Sequence, residues 1–268
     1  MSGIQILNTM PVGALAALLI GICVIFSVGL QLLVRRIYGV DFITSNQEVA
    51  GFKYAVVGVA YAVLLAFVVV SVWEDFDETQ QDIHAEAGRF YDVYRNSYDF
   101  PEEDGAKIRA AIQAYAKAVR EYDWPAMREG RWGSPEAANA YTRLSRTVGN
   151  IEATRPGRLA SLEHAISLQQ DVADYRIWRL SDVGGHMTPM VWFVLIVGGV
   201  ITLAYPAFFA TKKVGPQVLM TAGLAIIVGA TFLLAVNLNY PFSGPEPVDP
   251  EAIDAVIKRM ATEEAKGE

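Results

Sequence analysis

Four stretches of this chain run for about 20 residues each without a charged side chain: Val12–Val34, Tyr54–Val72, Pro189–Ala210 and Gln217–Val236. A helix rises about 1.5 Å per residue, so each can cross roughly 30 Å of hydrocarbon. Inside lipid a backbone must satisfy its own hydrogen bonds, and a helix does so within one segment. The expected fold class is therefore an all-α membrane protein with four transmembrane helices. The first run does not read as a signal peptide, because no basic residue precedes it and Arg35-Arg36 close it like a stop-transfer signal. The single cysteine, Cys23, lies inside that run, so no intrachain disulfide is expected.

Between the second and third runs, residues 73–186 carry helical patterning throughout. Ile83, Ala87, Phe90, Tyr94 and Tyr98 recur on one face, and Ile108, Ile112, Tyr115, Val119 and Tyr122 on another. Ser134 reads as the cap of a third helix with Pro135 at its first position, and Tyr141, Leu144, Val148 and Ile151 mark its inner face. After a break at Thr154–Gly157, a last helix would bury Leu159, Leu162, Ile166, Ala173, Ile177 and Leu180. These four amphipathic helices predict an extramembrane four-helix bundle inserted between the second and third spans. The organisation read from sequence is 12–72 for the first two spans, 73–186 for the bundle and 187–240 for the last two spans. Residues 241–268 form a tail whose Ile253, Val256, Ile257 and Met260 suit a short amphipathic helix.

The junction "VVVSVWEDFDETQQ", Val68–Gln81, passes from hydrocarbon to acid with no Gly or Pro between Val70 and Glu78. The second span is thus expected to continue as the first bundle helix, with Trp73 at the membrane–water boundary. Glu74, Asp77 and Glu78 are spaced three and four residues apart and share a helix face. In a homo-oligomer assembled about this helix they would form carboxylate rings that gather cations and repel anions. Asn237, near the end of the fourth span, is a further candidate for a pore or for capping a neighbouring helix. Gly58, Ala62 and Ala66 repeat every four residues on the second span, a small-residue stripe suited to close helix packing, within a subunit or between subunits.

Charge narrows the remaining readings. Net charge is −7, which argues against a nucleic-acid partner. The segment Trp73–His186 holds 20 acidic and 14 basic side chains. The short loops between the paired spans carry Arg35, Arg36, Lys53, Lys212 and Lys213, against Arg176 and Arg179 near the membrane on the other side. Basic residues in short loops stay cytoplasmic, which would place both termini and the bundle outside the cytoplasm. No catalytic constellation is found: His84, His164 and His186 are isolated, and no phosphate loop or nucleophile elbow occurs. No cofactor or metal is expected, since "DFDETQQD" lacks the glycine turn of a calcium loop. No span carries an ionisable carboxylate or histidine, which argues against a proton-coupled carrier.

The ordered pieces Val72–Glu78, Glu86-Ala87, Asp123-Trp124, Arg176 with Arg179, Pro189 with Trp192, and "YPFSG" at Tyr240–Gly244 resemble the bestrophin-like family of four-span membrane proteins. The resemblance covers nearly the whole chain. It implies a homo-oligomeric ion channel with its pore on a central axis, pentameric by analogy, with membrane lipid and inorganic ions as its other partners. Bestrophins carry their helical region in the cytoplasm, opposite to the charge count above. The function expected is an oligomeric, cation-preferring channel with an acidic mouth at the end of the second span. The alternative is a membrane-anchored sensor, scaffold or accessory subunit without conduction.

Overall fold

The computed structural model describes residues 11–44, 47–152, 156–244 and 246–267, and every regular element among them is helical. Thr154 and Arg155, part of the break expected at Thr154–Gly157, lie outside the described residues. Four helical stretches are long and apolar enough to cross a membrane. In chain order the helices are α1 (Val12–Tyr38), α2 (Val40–Thr44), α3 (Gln47–Asn96), α4 (Glu102–Ala118), α5 (Trp124–Arg128), α6 (Pro135–Gly149), α7 (Pro156–Ser181), α8 (Pro189–Ala204), α9 (Val214–Asn239) and α10 (Glu251–Gly267). They pack as two compact units. The described residues up to Asp75, with His186–Asn239, form one; Phe76–Gly185 and the residues from Tyr240 onward belong to the other.

The membrane unit is held by close approach of small residues. A Cβ placed on Gly229 of α9 would lie 3.1 Å from the Ile20 Cα of α1, so glycine there lets two backbones meet. On α8, Gly198 and Gly199 seat the Tyr61 ring, whose hydroxyl donates to the Leu195 carbonyl at 3.2 Å. Ser27 donates to the Leu203 carbonyl at 2.7 Å, which satisfies a buried hydroxyl on α1. A Cβ on Gly198 would stand 2.6 Å from the Tyr61 ring. Replacing Gly198 by valine should therefore push Tyr61 aside and cost about 1–3 kcal/mol, seen as a lower melting temperature of the purified protein.

α3 runs unbroken for 50 residues, about 75 Å at the usual helical rise. In the bundle unit its face Ile83, Ala87, Phe90 and Tyr94 is buried as the periodicity predicts, while Tyr98 is exposed. On α4, Ile108, Ile112, Tyr115 and Val119 are buried, but Tyr122 points outward. The cause is a π turn at Val119–Asp123, which shifts the register so that Asp123 takes the inward place. Ser134 caps α6 by accepting from the Ala137 N–H at 3.1 Å, with Pro135 opening the helix.

The last bundle helix departs from its predicted face. Ala165, Leu168, Val172, Arg179 and Leu180 are buried on α7, whereas Leu159, Ile166 and Ile177 are exposed. Hydrophobic periodicity misplaces the face because Arg179, a charged residue, occupies the core. The tail is part of this core: Ile253 and Met260 of α10 are fully buried, with Val256 and Ile257 packed against the same cluster.

Candidate functional site

Along α3, Val59, Val63, Phe67 and Val70 are all exposed, Phe67 at 72 %. At 100° per residue these positions and Glu74, Asp77 and Glu78 fall within about 100° of arc, a single stripe. All three acids are exposed as well. Asp77 accepts from the Gln81 side chain at 2.7 Å, an i,i+4 contact. The opposite side of the helix carries Tyr61, Leu65, Val72 and Thr79, which are buried. One face of α3 thus packs within the chain and the other stays uncovered, apolar for its first turns and anionic at the end.

The small-residue stripe flanks this open face. Gly58 is half-buried with no atom within 4 Å of where a Cβ would be, and Ala62 and Ala66 are exposed. Packing within the chain, one of the two readings of that stripe, falls instead to Gly198, Gly199 and Gly229. Asn237 is half-buried and already engaged within the chain. Its neighbour Asn239 ties down the segment that leads into α8. That side chain is buried, and its Oδ1 accepts the His186 and Met187 N–H groups at 3.2 and 2.9 Å, just before α8.

A second polar centre lies inside the bundle. Arg179, Glu86 and Asp123 are each fully buried. The guanidinium is held to Glu86 at 2.6 Å through Nε and at 3.3 Å through Nη2, and Nη2 also reaches Asp123 at 3.2 Å. The second oxygen of Asp123 accepts from the Ser134 N–H at 2.7 Å and from its hydroxyl at 2.8 Å. Arg179 Nη1 donates to the Met127 sulfur at 3.3 Å. Met127 also offers its carbonyl to Ser243, while Phe242 meets Trp124 edge-on at 5.7 Å. Four pieces of the ordered motif, at Glu86, Asp123-Trp124, Arg179 and Tyr240–Gly244, therefore converge on one spot.

Two carboxyls are hydrogen-bonded to one guanidinium here, and Arg176 adds a more distant positive charge. Burial pushes the Glu86 carboxyl above the usual carboxylate range, opposed by Arg179 and reinforced by Asp123. Burial also works against the charge of Arg179, but Glu86, Tyr115 and Asp123 outweigh it and hold the side chain cationic. A carboxyl raised in the folded state contributes most below about pH 4.3, the unfolded value, and loses that contribution as pH climbs through the raised one. Glu86→Gln should accordingly flatten the fall in melting temperature that the wild type shows as pH rises above about 4.3. Melting curves of both proteins across that range check it.

Sequence patterning alone does not single out this cluster as a site. A signal for it exists nonetheless: Glu86 falls on the Ile83–Phe90 stripe, where an acid in a core face calls for a cation. Among the described residues, no group of three or more His, Cys, Asp and Glu side chains is placed to hold a metal ion.

A family model described as a bestrophin-like domain matches residues 12–253. Solved structures with the same fold include a bacterial bestrophin homologue from Klebsiella pneumoniae. One point variant superposes with a TM-score of 0.65 at 13% identity, covering 90% of this chain and 97% of the other. A second gives 0.66 at 13% identity with 90% and 99% covered. The zinc-phased structure gives 0.64 at 14% identity with 90% and 96% covered. No curated protein matches this sequence. Four apolar helices and this likeness make the protein an integral membrane protein. A match over residues 12–253 takes in all four spans and the bundle between them, and on that ground the chain belongs to the bestrophin-like family.

Proposed function

We propose that the protein is an oligomeric ion channel, cation-preferring, whose axis is lined by the open face of α3. The observation that carries this is the uncovered stripe on one unbroken helix, from Val59 through Val70 to Glu74, Asp77 and Glu78. A helix with one packed and one bare face offers that bare face to lipid or to other copies of itself. Carboxylates at the end of the stripe favour the second, because subunits around an axis would stack them into rings that concentrate cations. Gly58, Ala62 and Ala66 beside the stripe supply the small surface for neighbouring helices to approach. Asn237 is a lesser polar candidate near the same junction. Family membership supports conduction, and analogy with bestrophins supports a pentameric ring in contact with membrane lipid and inorganic ions.

In this reading residues 12–72 and 187–240 conduct, and 73–186 with the tail 241–268 shape the approach. The basic short loops support an orientation with termini and bundle outside the cytoplasm. Arg35 keeps its charge there while donating to the Thr211 carbonyl at 2.7 Å and to Gln217 at 2.8 Å. A cysteine placed at Trp132, which is exposed, and challenged with a membrane-impermeant thiol reagent on intact cells decides between the two sides.

The test of function is the mass of the purified oligomer followed by ion flux in liposomes. A symmetric ring with flux of potassium or sodium above that of chloride is the expected result. A monomer or dimer that passes no ions would end the proposal.

A further inference from the structure

We infer that the membrane unit holds a binding site for an uncharged long-chain amphipath with a hydroxyl head, in a cleft between α1, the start of α3, the turn after α8 and α9. The cleft has a volume of about 390 Å³, in the range of small-molecule sites. Tyr54, Pro206, Phe209, Met220 and Leu224 supply its apolar walls, and its polar lining is uncharged: Gln31, Gln47, Thr211, Gln217 and Thr221.

Gln31 is the observation that calls for a ligand. It is 1% exposed, and its Oε1 has no hydrogen-bond partner. A bare amide oxygen in an apolar surrounding is costly. Its neighbour Gln217 shows what satisfaction looks like in the same cleft, its Oε1 accepting from Arg35 at 2.8 Å and from the Thr211 N–H at 3.3 Å, and its amide nitrogen donating to the Phe209 carbonyl. Among the described residues Gln31 has no such partner for its oxygen, and a donor from outside the chain would supply it.

The chemistry of the cleft narrows that donor. No ionised side chain is among the residues lining it, and the nearby Arg35 is spent on Thr211, Lys212 and Gln217. A cationic head would meet the like charge of Arg35 and an anionic one has no donor to give the Gln31 oxygen, whereas a hydroxyl both donates and accepts. Depth agrees. Gln31 lies one turn before Arg35, about 6 Å inside the charged end of α1. That is where the hydroxyl of an alcohol or glyceride sits when its chain lies among lipid tails.

The full-length protein in lipid nanodiscs, treated with a diazirine-bearing long-chain alcohol and mapped by mass spectrometry, tests this. Labelling should saturate and fall on peptides of α1 and α9 that contain Gln31 and Met220. Decanol should compete about fivefold better than decyl methyl ether, which has the same chain but no donor. In Gln31→Met, close to the native shape, that difference should vanish. Equal competition by the ether in the wild type would overturn the inference whatever the variant does. Non-saturable labelling spread over lipid-facing side chains such as Phe67, as expected of a cleft holding only water, would overturn it as well.

Discussion

Replacing Arg179 by methionine is expected to destabilise the bundle by about 3–5 kcal/mol, because two buried carboxyls lose the cation they are hydrogen-bonded to. Glu86 and Asp123 have no other cationic side chain in the hydrogen bonds of the cluster; Asp123 keeps only the two donors of Ser134. Most of the cost is the penalty of burying unpaired charge, not the net worth of the pairing. The expected readout is a large fall in melting temperature by circular dichroism, with the loss growing as pH rises and Glu86 ionises. The combined variant Arg179→Met, Glu86→Gln, Asp123→Asn should recover much of that loss, since it removes every charge at once. A single variant as stable as the wild type would mean that water reaches the cluster and that its burial is not real.

Neutralising the proposed mouth, by Glu74→Gln, Asp77→Asn and Glu78→Gln together, should lower the cation-to-anion permeability ratio about tenfold or more. Coulomb attraction acts through local concentration, so the effect should shrink as salt is raised from 0.01 M to about 1 M and the screening length falls. Folding should be unaffected because all three side chains are exposed. Reversal potentials that do not move in liposomes would remove these residues from the ion path, even if conduction itself is real.

Much of the architecture is legible in the sequence because it follows from short-range rules. The four spans are set by uncharged length, and the unbroken course of α3 by the lack of a helix breaker between Val70 and Glu78. The cap at Ser134 and the inner face Ile83–Tyr94 are equally local. Beyond the exposed Tyr98, periodicity fails at two places in the bundle for one reason. Tyr122 and the face of α7 are assigned by counting hydrophobic residues, and that count is blind to Asp123 and Arg179. Both are polar, both are in the core, and one sits in a π turn that breaks the helical period.

Sequence by itself determined that this is an all-helical chain of four membrane spans, with a rod that runs from apolar side chains straight into acid, because each of those properties depends on a residue and its neighbours within a few turns. Only the tertiary structure decided that Glu86, Asp123 and Arg179 meet, since they are separated by as many as 93 residues and no local pattern pairs them. It also decided which face of α3 is left bare and that Gln31 ends in a cleft with its oxygen unmet. Packing chooses one side of a helix only when its partners arrive, and a buried polar atom is satisfied or stranded by groups that the chain brings from far away.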